Sequence, residues 1–131
     1  MYNPTVLNHF QNPRNLSELQ NANAYGMGAN PTCGDVLKLY LVIKKNKIEK
    51  ASFKTMGCGA VIASGSILTE HLKGMTVEQA QKLKPKDIVG WLGGLPPIKL
   101  HCPELAIEAL KSALKTVTPQ KGTKNKTPQP T

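Results

Sequence analysis

The sequence predicts an α+β domain: a small three-stranded antiparallel sheet packed by helices, with an N-terminal helix and a C-terminal helix after a cysteine-bearing loop. Three observations carry this. Residues 36–55 alternate polar and apolar with a period of two across a short turn, apolar residues repeat at helical spacing in the segments that flank them, and a glycine-rich stretch at Tyr25-Gly26-Met27-Gly28 reads as a brief strand or turn.

The elements follow in order. Asn3 can cap a helix with Pro4 in its first turn, and Val6, Leu7 and Phe10 fall on one side before Asn12-Pro13 stops it. From Leu16 to Ala24 the signals are weak. Leu37, Leu39, Leu41 and Ile43 face one way while Lys38, Tyr40 and Lys44 face the other, which makes a half-buried strand. Lys45-Asn46-Lys47 forms a turn, and Ile48 to Thr55 returns antiparallel with Ala51 and Phe53 on the inner face. Beyond Gly59, Val61, Leu68 and Leu72 define a helix that Gly74 ends. Thr76 and Gln79 form a capping box for a second helix through Leu83, which Pro85 ends, and a further helical turn is expected around Asp87 to Trp91. Gly93-Gly94 then releases the chain into a stiff, exposed, extended proline run, Leu95-Pro96-Pro97-Ile98-Lys99. Cys102 at the cap and Pro103 at the first position open the last helix, with Ala106, Leu110 and Ala113 on its apolar face. One domain over residues 1–116 and a disordered lysine-rich tail over 117–131 are expected.

Composition narrows the function. The formal charge of +9 is almost wholly lysine, since Arg14 is the only arginine, and a lysine-rich surface suits solvent or an acidic protein partner better than nucleic acid. No apolar run is long enough for a membrane helix, and the N-terminus lacks the order of a secretory signal, so a cytoplasmic location is expected.

The three cysteines cannot all pair within the chain, and each sits beside Gly or Pro at a turn: Asn30-Pro31-Thr32-Cys33-Gly34-Asp35, Gly57-Cys58-Gly59 and His101-Cys102-Pro103. The hairpin should place the first two segments side by side at one sheet edge. Cys58 and Cys102 both fall at helix N-termini, where the dipole and free N–H groups favour thiolate, so both are expected to ionise easily. Flanking glycines would let backbone approach an inorganic cluster closely. Three thiolates plus one more ligand suit zinc or cluster iron, with Asp35 or His101 as the fourth. His101 and Cys102 can both ligate only if the chain turns between them, because neighbours on extended backbone point apart. A cysteine enzyme using Cys102 is disfavoured by the placement of His101 and the lack of an oxyanion motif. His9 and His71 read as surface or packing residues.

These motifs resemble the U-type iron-sulfur cluster assembly scaffolds, the IscU and NifU N-terminal family, from His9-Phe10-Gln11-Asn12-Pro13-Arg14-Asn15 through the three cysteine segments to about Lys115. The resemblance implies a non-enzymatic scaffold on which a labile 2Fe-2S cluster forms and is passed to apo iron-sulfur proteins, with persulfide sulfur supplied by a cysteine desulfurase. It implies Cys33, Cys58 and Cys102 as cluster ligands, Asp35 and His101 as fourth-ligand candidates, and Cys102 as persulfide acceptor. Leu95, Pro96, Pro97, Ile98 and Lys99 would be the segment gripped by an Hsp70-type chaperone, and a cluster-linked homodimer is possible. His101 argues against the zinc-dependent SufU branch, whose sulfur-transfer role is the main rival, although zinc can occupy the same thiolates.

Overall fold

The computed structural model describes residues 2–30 and 34–116. The elements run α1 (Pro4–Gln11), β1 (Ala24–Asn30), β2 (Asp35–Lys44), β3 (Lys47–Met56), α2 (Gly59–Leu72), α3 (Val77–Gln81), α4 (Pro85–Leu92), a 3-10 turn (Pro97–Lys99) and α5 (Cys102–Thr116). The three strands form one antiparallel sheet in the order β1-β2-β3. Among the described residues no helix is long and apolar enough to cross a membrane.

The period of two in β2 is realised as expected: Leu37, Leu39 and Leu41 are fully buried against the helices while Lys38 is exposed. Lys44 pairs with Lys47, so the hairpin turns on two residues, Lys45 and Asn46, both with positive φ. That backbone twist matches the twist of the flanking strands. The glycine-rich stretch is a full strand. Gly26 and Gly28 are there because α5 lies directly on β1: a Cβ at Gly28 would stand 2.2 Å from the Leu105 carbonyl oxygen, and one at Gly26 2.2 Å from that of Ala109. The weak segment after Leu16 also finds a place, since the Ser17 N–H donates to Phe53 O and the Phe53 N–H to Asn15 O, which covers the free edge of β3.

Helix α2 is the centre of the molecule. It is buried on nearly all sides, from Ala60 to Leu72, and small residues allow it to pack tightly; the space a Gly65 side chain would need is held by the Phe53 ring. Its buried hydroxyls are satisfied by its own backbone, Ser64 donating to Ala60 O at 2.7 Å and Thr69 to Gly65 O at 2.8 Å.

Several expectations need correction. On α1, Val6 and His9 are the buried pair, whereas Leu7 and Phe10 are 39% and 41% exposed. His9 packs inward because its Nδ1 meets Ser66 Oγ at 2.7 Å. Pro85 does not merely stop α3 but opens α4, at the first helical position where its missing N–H costs nothing. The proline run is not extended throughout: Pro96 keeps the extended φ/ψ, but Pro97–Lys99 closes into a 3-10 turn with the Lys99 N–H on Pro96 O. Cys102 is the first residue of α5 rather than its cap. The capping box of Thr76 and Gln79 is present as expected. The tail over 117–131 lies outside the described residues.

Candidate metal centre

The hairpin's open end carries the site. Asp35 begins β2, Val36 pairs with Met56 at the end of β3, and two residues later Cys58 caps α2. The third contributor arrives from the far end of the chain, on the first turn of α5. Asp35, Cys58 and Cys102 each offer one ligand atom, and these atoms lie within 4.8 Å of one another. The two sulfurs are 3.8 Å apart, and Cys102 Sγ is 3.8 Å from His101 Nε2. The chain therefore does turn between His101 and Cys102, the condition under which both can face one ion. Of the expected ligands, Asp35, Cys58 and Cys102 are brought together, and His101 stands beside Cys102 but outside that group of three. Cys33 lies outside the described residues.

Each side chain is fixed by its element. Cys58 stands at the start of the buried α2, so its position follows the core. Cys102 is fully buried, held by α5, which is pinned to β1 through the bare glycines. The glycines beside Cys58 serve packing in this structure: a Cβ on Gly57 would stand 3.2 Å from the Asp35 carboxyl carbon, and one on Gly59 3.1 Å from the Phe10 ring. Gly57 thus lets the carboxylate lie against the backbone that leads to Cys58.

The two thiols differ electrostatically. Burial would push Cys58 up, but the N–H groups of Val61 and Ala60 at the helix start, the Cys102 thiol and the Lys99 ammonium outweigh it and lower its pKa. Cys102 is pushed up to about 12, first by burial and then by the neighbouring Cys58 charge. Easy ionisation, expected for both, holds for Cys58 and fails for Cys102: a helix start does not offset full burial beside another thiolate.

Two residues at the rim were not singled out for this electrostatic role. Lys99, expected only as part of a chaperone-gripped segment, has its pKa raised chiefly by Cys58. Tyr2 has its pKa raised by burial and then by the same thiol. Neither carries a sequence signal beyond proximity to the motifs. Asn3 does double duty: its Oδ1 caps α1 at Val6, and its Nδ2 donates to Leu92 O at 2.9 Å and Gly94 O at 3.3 Å. This fixes the start of the loop that leads to His101. Along that loop Ile98 is 77% exposed beside an open apolar groove of about 470 Å³ lined by Tyr2, Leu7, Pro96, Ile98 and Lys99.

An antiparallel sheet backed by helices, with two thiols and a carboxylate gathered at its open end, defines an α+β domain with a ligand set that could hold a thiophilic metal. The chain belongs to the NifU-like N terminal domain family, whose sequence profile matches residues 1–124. It is 45% identical over 114 residues to the iron-sulfur cluster assembly scaffold protein IscU 1 of Archaeoglobus fulgidus, covering 87% of this chain and 74% of that protein. It is also 45% identical over 123 residues to IscU of Aquifex aeolicus, covering 92% and 78%. Among solved structures, the SUF-system protein FiSufU of Fervidobacterium islandicum superposes with a TM-score of 0.69 at 22% identity, covering 86% of this chain and 96% of that one, a likeness of fold.

Proposed function

We propose that this chain is an iron-sulfur cluster assembly scaffold, a holder of cargo rather than a catalyst. The observation that carries the reading is the convergence of Asp35, Cys58 and Cys102 within 4.8 Å, in a chain whose relatives are named for that function. The cargo is a 2Fe-2S cluster. Its ligands are Cys33, Cys58 and Cys102 with Asp35 or His101, a set in which soft thiolates bind iron firmly and a harder carboxylate binds it less so. Residues 1–116 form the scaffold domain.

Sulfur arrives as persulfide from a cysteine desulfurase. A scaffold thiolate attacks the terminal sulfur, a new S–S bond forms on the scaffold, and the desulfurase cysteine leaves as thiolate. Cys102 is the acceptor that the resemblance implies, and its burial means that the loop over residues 95–101 must open for the attack. Cys58 is the thiolate that ionises first, and it supplies the alternative acceptor. The completed cluster passes to apo-proteins. The exposed Ile98 and the groove beside it suit an Hsp70-type chaperone gripping Leu95 to Lys99 during release.

The test is anaerobic reconstitution with ferrous iron, cysteine and a desulfurase, followed by visible absorption and by iron, sulfide and zinc analysis. A transferable chromophore lost in each of Cys33→Ser, Cys58→Ser and Cys102→Ser supports the scaffold. Tightly retained zinc, no chromophore and faster desulfurase turnover would replace it with a zinc-dependent sulfur-transfer accessory.

A further inference from the structure

The face of the sheet turned away from α2 and α5 has an unusual make-up for a solvent-facing surface. Register places Lys38 directly opposite Lys54, and like charges so placed destabilise a sheet. Neither lysine forms an ion pair among the described residues. Around them lie apolar groups: Met27 and Met56 are 46% and 75% exposed, and the rings of Tyr25 and Tyr40 pack at 5.3 Å in a tilted arrangement. Val36, Tyr40, Met56, the two lysines and a single acid, Glu18, line a cleft of about 320 Å³. Two lysines against one acid, beside half-buried aromatic and exposed thioether surface, is the composition of a binding face rather than of a solvated one.

Charge decides what can cover it. A second copy using the same face would set lysine pair against lysine pair. Residues 117–131 contain lysines and no acidic residue, so the chain's own C-terminus is repelled as well. Nucleic acid is poorly served, because the face has no arginine fork and its tyrosines pack on each other. We propose that this face docks an acidic segment of another protein, with carboxylates on Lys38 and Lys54 and one apolar side chain in the cleft between Tyr40 and Met56. Met56 is followed by Gly57 and Cys58, so a partner seated here borders the thiols without occupying them. The proposal needs no metal and stands apart from the scaffold reading.

The experiment uses the full chain with its methionine methyls labelled for NMR and a synthetic peptide of alternating glutamate and serine around one central phenylalanine. The expected result is movement of the Met27 and Met56 methyl signals with Met75 unmoved. The double reversal Lys38→Glu with Lys54→Glu should weaken binding about tenfold or more, and the neutral Lys38→Gln with Lys54→Gln by less. Lys111→Glu with Lys115→Glu, exposed on α5, should leave it within about twofold. Replacing the peptide's phenylalanine by serine should also weaken it. Equal losses from the two reversals, no binding by the peptide, or signal changes confined to the Leu7 and Ile98 groove would overturn the proposal. A uridine oligonucleotide that displaces the peptide at the same methyls would overturn it in favour of nucleic acid.

Discussion

Cys58 Sγ and Cys102 Sγ lie 3.8 Å apart although 44 positions separate them in the chain. At that distance each thiol acts on the other: against its burial, the Cys58 pKa is lowered, chiefly by the N–H groups at the start of α2 and the Cys102 thiol, whereas burial and the neighbouring Cys58 push Cys102 up. Thiol alkylation followed by mass spectrometry should therefore modify Cys58 before Cys102, and at a pH below that of an ordinary thiol. Cys102 should stay unmodified until the solution approaches about pH 12 or the protein unfolds. Cys58→Ser removes the charge that raises Cys102 and should bring its modification to lower pH. Equal rates at Cys58 and Cys102 in the wild type would refute the difference between them.

Asp35 lies against Gly57 and within 4.8 Å of both described thiols, where a carboxylate gives the cluster a harder, weaker ligand. Asp35→Ala should slow release and lengthen cluster lifetime, read as decay of the visible absorption under a chelator challenge. A shorter lifetime in the variant counts against this role.

Gly28 touches the backbone of α5, and a methyl there would stand 2.2 Å from Leu105 O. Gly28→Ala must push α5 away from β1, so a loss of roughly 1–3 kcal/mol is expected in urea unfolding. Because Cys102 opens that helix, zinc or iron affinity should fall together with stability. Unchanged affinity would show that the site does not depend on how α5 is seated.

His9 is buried against Ser66, with Glu70 at 3.7 Å from its Nε2. Burial first and the Arg14 charge next lower its pKa from 6.5, partly offset by Glu70. The unfolded chain thus takes up the proton more readily than the folded one. Its contribution to stability is full above 6.5 and is lost as pH falls through the lower folded value. Denaturant midpoints measured between about pH 7.5 and pH 5 should fall in the wild type and fall less in His9→Asn. Equal slopes would remove His9 as the cause.

Lys54→Glu places an acid opposite Lys38 and should raise stability by about 0.2–1 kcal/mol in the same unfolding assay. A loss of stability would mean that the lysine pair is not strained by its own charge.

Local pattern was enough for the hairpin, because alternation in β2 and β3 reports a sheet with one face buried, and for the caps at Asn3 and Thr76, whose signals span only three or four residues. It failed where a distant element decides. Leu7 and Phe10 look like core residues, but α2 presents Ser66 to α1, and a histidine answers a hydroxyl better than a phenyl ring does. The glycines of β1 left strand and turn both open, because the helix that needs their bare backbone lies some eighty residues onward.

The α+β class, the hairpin that joins Asp35 to Cys58 and the residue types able to hold a metal were legible without any coordinates, since each rests on short-range periodicity or on chemistry written in the side chain. Packing settled that Cys102 meets Cys58, that the chain turns to bring His101 beside Cys102, and that the two thiols shift in opposite directions. Burial and the field of neighbouring charges depend on which elements pack together, and no local stretch of sequence contains that information.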